Sequence, residues 1–372
     1  MKLLALTLHR VRLPLVSPFT TSFGTERERD ALLVQARTSV GGTDVVGWGE
    51  CVASTEPRYS SEYTDGAAEV IARWLGPMLF AAPALDAETV SYHLAGVSGH
   101  RMAKAAVEMA LLDAQLRARD EPFARYLGAV RTRVPSGVSV GIQDGVHETV
   151  AAVGGYLEQG YARIKLKIRP GWDVEPTRAV RRAFGDAVPL QVDGNAAYTL
   201  ADAPVLRRLD EFGLLLLEQP LADGDLRQHA VLAGQLSTPI CLDESVVSAE
   251  SAADAIALGA ASVINIKAGR VGGYLEAARI HDLARAHGVA VWCGGMLETG
   301  IGRSANAALA ALPGFTLPGD ISGSDRFYTE DITEPVLMVD GSVAVPTEPG
   351  VGRPPLPTVL RRHTVGTRTI EP

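Results

Sequence analysis

The sequence predicts a two-part α/β chain, an α+β first third followed by a parallel (β/α) barrel, and three observations predict it. From about Ser136 onward, short apolar runs alternate with longer amphipathic segments, the pattern of repeated βα units around a parallel sheet. Before that point strand-like and helical runs are mixed without such a repeat. At 372 residues the chain is also long enough for two domains, or for one large barrel with an extension.

In the first third, residues 31–38 and 45–50 flank Gly41-Gly42 and read as an antiparallel hairpin. Residues 62–75 and 103–119 carry apolar side chains at helical spacing. Two stretches resist a regular reading: 16–25, with Pro18 and Gly24, and 50–61, with Pro57. Loops of that length in a compact domain are often lids over a site.

Successive barrel strands are expected at 137–142, 162–168, 189–193, 214–219, 239–243, 262–267, 289–293 and 315–317. Connecting helices are expected at 176–184, 201–211, 249–258 and 274–287, with Ser248 as N-cap of the third. After Asp320 the chain turns irregular and rich in Pro and Gly, and it is expected to pack back across the first part.

Composition narrows the function. Hydrophobic residues at 47% and charged residues at 21% are ordinary for a folded globular chain. A net charge of -8 argues against nucleic acid as a partner, because phosphate binding relies on clustered Lys and Arg. Cys51, Cys241 and Cys293 are isolated, which predicts buried free thiols rather than a disulfide framework or a thiolate metal site. The apolar start is broken at His9 and Arg10, too soon for a signal-peptide core, and no run is long enough to span a membrane. A soluble cytoplasmic protein is expected.

Barrel enzymes build their sites at the carboxyl ends of the strands. Lys165 and Lys167 end the second strand and, being two apart, share a face; taken alone, such a pair also fits a solvated surface strand. The next three strands end in Asp193, Glu218 and Asp243. Three carboxylates at one barrel mouth repel one another unless a cation lies between them, and oxygen-only ligands favour Mg²⁺ over Zn²⁺. Lys267 ends the sixth strand, across a closed barrel from the second. Asn195 and Glu244, just beyond two of the carboxylates, are placed to orient them.

The series Lys165-Leu166-Lys167, Asp193-Gly194-Asn195, Glu218-Gln219-Pro220, Asp243-Glu244 and Lys267 resembles the muconate-lactonizing-enzyme subgroup of the enolase superfamily. Within it, Gly154-Gly155-Tyr156, residues 164–171 and the run from Trp292 to Gly300 resemble the o-succinylbenzoate synthase and N-succinylamino acid racemase family. The resemblance covers nearly the whole chain. It implies a (β/α)₇β modified TIM barrel at 131–322, capped by an α+β domain built from 1–130 with 323–372 packing back on it. It also implies Mg²⁺, with Mn²⁺ or another divalent cation able to substitute, on Asp193, Glu218 and Asp243. Lys167 and Lys267 become the acid/base pair and Lys165 an electrostatic group; a Lys base with Mg²⁺ is the known arrangement of enolase-superfamily sites.

The reaction so implied is removal of a proton next to a carboxylate, giving an enediolate. Loss of a β-hydroxyl from it yields o-succinylbenzoate, a step of menaquinone biosynthesis; return of the proton to the opposite face racemises an N-acylamino acid. Lys165 and the cation are expected to lower the pKa of Lys167 toward that of a usable base. Arg270, three residues after Lys267, is placed to hold or tune that lysine, which favours a two-base reaction. Dipeptide epimerases carry Asp-x-Asp at the eighth strand, where this chain has Asp320-Ile321-Ser322, and mandelate-racemase-like members use a His where it has Cys293. The substrate is therefore expected to be a small carboxylate with an uncharged or N-acylated arm, contacted by Phe19, Phe23 and Tyr59 from the two lids, with Ser139 and Met296. Further copies of the same chain are the expected partners, as a homo-oligomer.

Overall fold

The structure is a computed structural model that describes residues 1–21 and 24–372. Phe23 lies outside the described residues. Strands β1 (Lys2–Thr21), β2 (Gly24–Val40) and β3 (Thr43–Cys51) form an antiparallel sheet, with Gly41 and Gly42 in the left-handed turn conformation that glycine adopts without strain. The β1–β2 ribbon runs further than expected. Phe19 lies opposite Glu26 and Thr20 opposite Thr25, so the described residues of the expected irregular stretch 16–25 continue the two strands of a hairpin arm. The irregularity between Pro14 and Phe19 disguises the ribbon, since Pro14 and Pro18 have no N–H to give to a ladder.

Helix α1 (Arg101–Ala118) packs directly on β3. A Cβ on Gly49 would collide with the carbonyl of Ala106, and one on Gly47 with that of Ala110, so these glycines set how closely helix and strand approach.

Seven parallel strands follow in consecutive spatial order: β4 (Gly137–Val140), β5 (Arg163–Lys167), β6 (Leu190–Asp193), β7 (Leu217–Glu218), β8 (Ile240–Leu242), β9 (Val263–Ile266) and β10 (Ala290–Cys293). The predicted eighth strand at 315–317 forms no ladder. Instead Phe315 bridges Val291 and Gly319 bridges Ser136, so this segment joins the last strand to the first by single bridges. Pro313 and Pro318 around it remove two backbone donors.

Helices α2 (Val146–Glu158), α3 (Val174–Phe184), α4 (Leu226–Ala233), α5 (Ala249–Ala257), α6 (Tyr274–Ala286) and α7 (Gly300–Ala310) flank the sheet. Ser248 caps α5 as expected, its hydroxyl accepting from Ser251 N at 3.2 Å. The single helix expected at 201–211 is instead a short α turn, Ala203–Leu206, that tightens into a 3₁₀ turn, Arg207–Phe212, and ends at the left-handed Gly213.

The strand residues Leu166, Val192, Leu217, Leu242, Ile264 and Val291 alternate with the barrel-facing charged residues, are buried and share one core with the flanking helices, and the free thiols Cys51, Cys241 and Cys293 are buried too. A second core lies between the antiparallel sheet and α1. At the other end of the chain, β11 (Thr364–Ile370) pairs with β1, Ile370 opposite Leu6, and completes a four-stranded sheet. Asp113 on α1 pins the tail by accepting from Val351 N at 2.7 Å while also accepting from Trp48 N at 2.8 Å. Among the described residues, no helix is long and apolar enough to cross a membrane.

Candidate active site

Strand register brings the charged residues to one level. Lys167 is paired with Asp193, Asp193 with Glu218, and Glu218 with Cys241, two residues before Asp243. The three carboxylate-bearing strand ends thus stand side by side between the strand of Lys165 and Lys167 and the strand that leads into Lys267. All six charged residues are buried.

Each lysine is held by carboxylates. Lys167 Nζ donates to Asp193 Oδ2 at 2.6 Å and to Asn195 Oδ1 at 2.7 Å. Lys165 Nζ lies 2.7 Å from Asp320 Oδ2, 3.2 Å from Glu218 Oε2 and 3.5 Å from Asp193 Oδ2, over the face of Trp292. Lys267 Nζ donates to Asp243 Oδ2 at 2.7 Å and to the Tyr59 hydroxyl at 3.1 Å. Arg270 forms an ion pair with the other Asp243 oxygen and donates to the carbonyls of Asn265 and Val246 at 2.7 and 3.0 Å.

Burial and charge compete at every one of these groups. Burial alone would raise the Asp193 carboxyl, but Lys167 and Lys165 outweigh it and hold the pKa down at about 2. Burial raises Glu218 above its ordinary value, and the charge of Asp193 adds to that. Burial would lower Lys165, yet Asp320, Glu218 and Asp193 together push it above the ordinary lysine value. Lys267 moves the same way, burial being overcome by Tyr59, Glu244 and Glu218. Glu244, half-buried but with its carboxylate shielded from solvent and near Asp193, is pushed up to about 7.

As these side chains stand, among the described residues no three His, Cys, Asp or Glu form a ready cation cage, because each of the three carboxylates is turned to a lysine. The donor set nonetheless fits a hard divalent cation: it is all oxygen, it is buried, and it comes from neighbouring strand ends. Glu244 Oε2 is buried and accepts no hydrogen bond, and Glu218 Oε2 has only its ion pair with Lys165, so both oxygens have capacity left for a cation.

A cavity of about 500 Å³ opens above the cluster. Lys165, Lys167 and Lys267 lie in its floor, and Phe19, Tyr59, Ser139 and Met296 in its walls, so four of the five expected substrate contacts face the same space as the lysines. The hydroxyl of Ser139 is buried with no hydrogen-bond partner. Asn195 and Glu244 are joined to each other at 3.1 Å, and Asn195 adopts the left-handed backbone that Asn tolerates, its N–H donating to Asp193 Oδ1 at 2.9 Å.

Three residues of the site escaped the reading of the sequence. In the sequence Asp320 stands out only as half of an Asp-x-Asp motif, yet it is the nearest carboxylate to Lys165 and also pairs with Arg163 at 2.8 Å. Asn265 donates to Glu218 Oε1 at 2.7 Å, and the signal was there, since it lies two residues before Lys267 on the same face of β9. Gln219 accepts from Asp243 N and Ser245 N at 3.0 and 3.2 Å and so fixes the turn that carries Asp243; nothing in the sequence marks this.

A capped (β/α) barrel with lysines on either side of a row of carboxylates defines an acid/base enzyme acting next to a substrate carboxylate. The enolase C-terminal domain-like family matches residues 148–356, and the N-terminal domain of the mandelate racemase / muconate lactonizing enzyme family matches residues 4–128. The chain belongs to the enolase superfamily, in the family of o-succinylbenzoate synthases and N-succinylamino acid racemases. It is 61% identical to an N-succinylamino acid racemase from Amycolatopsis over 98% of both chains. It is 46% identical to an o-succinylbenzoate synthase from Geobacillus kaustophilus over 93% of this chain and 91% of that one. The crystal structure of an enolase-superfamily member from Listeria innocua superposes with a TM-score of 0.95 at 36% identity, covering 100% of this chain and 99% of the other.

Proposed function

We propose that this enzyme removes the proton α to a substrate carboxylate through an enediolate, acting as an o-succinylbenzoate synthase that also racemises N-succinylamino acids. The observation that carries the proposal is the placement of three acidic strand ends between two lysine-bearing ones. In this reading residues 131–322 are the catalytic barrel, and 1–130 with 323–372 form the cap.

Asp193, Glu218 and Asp243 hold Mg²⁺, for which Mn²⁺ or another divalent cation substitutes. When bound, the cation supplies charge that favours the enediolate and that also makes the neighbouring lysines easier to deprotonate. Lys167 and Lys267 take and return the proton from opposite sides of the α-carbon. Lys165, fixed by Asp320, keeps its charge and stabilises the anionic oxygens. Asn195 and Glu244 orient the Asp193 side of the site, and Arg270 the Asp243 side. Phe19 and Met296 form apolar surface for the substrate's arms, while Ser139 offers a hydroxyl to its polar part.

Arg270 also favours racemisation alongside dehydration, because it shares Asp243 with Lys267 and so fixes the second base that racemisation needs and dehydration does not. The test is to offer the purified protein, side by side, the cyclohexadiene carboxylate precursor of o-succinylbenzoate and N-succinylamino acids. Turnover of neither in the presence of Mg²⁺ would overturn the proposal.

A further inference from the structure

The lining of the cavity includes Gly295, Met296, Leu297 and Glu298, from the loop between β10 and α7. This loop is strained. Leu297 sits at φ 58°, a left-handed conformation costly to a branched side chain that persists only where the surroundings hold it. Within the barrel, Met296 N donates to Glu298 Oε2 at 2.9 Å and Asn306 Nδ2 to Glu298 Oε1 at 2.9 Å, which ties the loop to itself and to α7.

Glu50 adds a tie from outside the barrel. It is the penultimate residue of β3, and it is buried. Its carboxylate accepts from Thr299 N at 3.0 Å, from Thr299 Oγ1 at 2.7 Å and from Gly302 N at 3.1 Å, so it occupies the N-terminus of α7, where a negative charge is favoured. A Cβ on Gly302 would stand 2.7 Å from Glu298 Cγ and 3.0 Å from Glu50 Oε2, so the glycine keeps that approach open. One residue beyond Glu50 the chain leaves β3 and becomes the second lid, which carries Tyr59. The base of that lid is held in turn by Arg29, whose Nη1 donates to Ala53 O at 3.1 Å. Met296 and Tyr59 pack against one apolar cluster, so a shift at either end changes the shape of the cavity between them.

We propose that Glu50 is a positioning residue that locks the second lid to the β10–α7 loop, setting the width of the substrate cavity without touching the reacting atoms. This rests on the reading of the cavity as the substrate site. Glu108 on α1 supplies the contrast: it too is buried and caps a barrel helix, accepting from Leu275 N at 3.1 Å at the start of α6, but it does not line the cavity or adjoin either of its loops.

The experiment compares Glu50→Ala, Glu50→Gln, Thr299→Val and Glu108→Gln in two readouts, steady-state kinetics on an N-succinylamino acid and amide hydrogen exchange. Losing these hydrogen bonds from a binding wall should raise KM by about tenfold in Glu50→Ala, with kcat changed by less than about threefold, the pattern of lost uniform binding. Glu50→Gln keeps an acceptor oxygen and should recover part of that loss, Thr299→Val should reproduce part of it, and Glu108→Gln should leave KM unchanged. Exchange should quicken in residues 52–61 and 294–299 together in Glu50→Ala, and in neither for Glu108→Gln. A purely structural role would lower kcat at constant KM through loss of folded enzyme, and that result overturns the proposal, as does an equal KM rise in Glu108→Gln. If Glu50→Ala fails to fold, Thr299→Val decides. If the wild type turns over no substrate, the proposed function fails and the exchange readout still decides this inference, absence of coupled quickening being the contrary result.

Discussion

The hydroxyl of Tyr59 lies 3.1 Å from Lys267 Nζ and 3.2 Å from Asp243 Oδ1, so a lid residue touches both a candidate base and a candidate metal ligand. Substrate enclosure and the charge state of Lys267 are thereby linked through one phenol. Tyr59→Phe keeps the ring against Lys267 and removes only the hydroxyl, so kcat should fall by about tenfold, the weight of a hydrogen bond to a charged group. Melting temperature should stay within a few degrees, and an unchanged kcat would show that the contact carries no catalytic weight.

Metal dependence follows from the three carboxylates. Asp243→Asn leaves two anionic ligands, and Mn²⁺ affinity measured by calorimetry should weaken by about 10- to 100-fold or more. Turnover should fall with it and recover in part at high metal concentration. Full wild-type activity in excess chelator would rule out the proposed ligand set.

Phe19 and Met296 line the same cavity as the three lysines. Truncating either to Ala enlarges an apolar wall, and the ratio of kcat/KM between a bulky and a small N-succinylamino acid should change by about 10-fold or more in favour of the bulky one. Equal effects on both substrates would mean that these side chains do not set selectivity.

Glu108 has a consequence for pH. Burial pushes its carboxyl up to about 7 from 4.5, the backbone N–H groups of Leu275 and Tyr274 only partly opposing it. A folded-state pKa above the unfolded one gives stability that is fully present below the unfolded value and is lost as pH rises through about 7. Glu108→Gln lacks that titration and should gain on the wild type between about pH 5 and about pH 8, by on the order of 1–3 kcal/mol in denaturant unfolding. A difference between the two proteins that is flat with pH would contradict the raised folded-state pKa of Glu108.

The barrel and its charged floor were legible because both are periodic or local. Apolar runs mark parallel strands, and a charge directly after each run lands at the barrel mouth, which brought Lys165, Lys167, Asp193, Glu218, Asp243 and Lys267 together. The ribbon formed by residues 19–21 and 24–26 is not legible because Pro14 and Pro18 hide a strand that continues past them. The eighth strand was overstated, since apolar character at Phe315 and Leu317 does not make a ladder between two prolines. Asp320 and Gln219 were not recognised because their roles depend on contacts with Lys165 and with the Asp243 turn, which come from other strands.

Opposed lysines are the centre of this account, and the direct measurement is deuterium incorporation at the α-carbon of each enantiomer of an N-succinylamino acid, followed by NMR in D₂O. With both lysines present, both enantiomers should exchange and interconvert. Lys267→Ala should abolish racemisation while the enantiomer that presents its proton to Lys167 still exchanges, and Lys167→Ala should show the mirror pattern and lose dehydration as well. Equal exchange of both enantiomers in both single variants would contradict a mechanism in which each lysine serves one face.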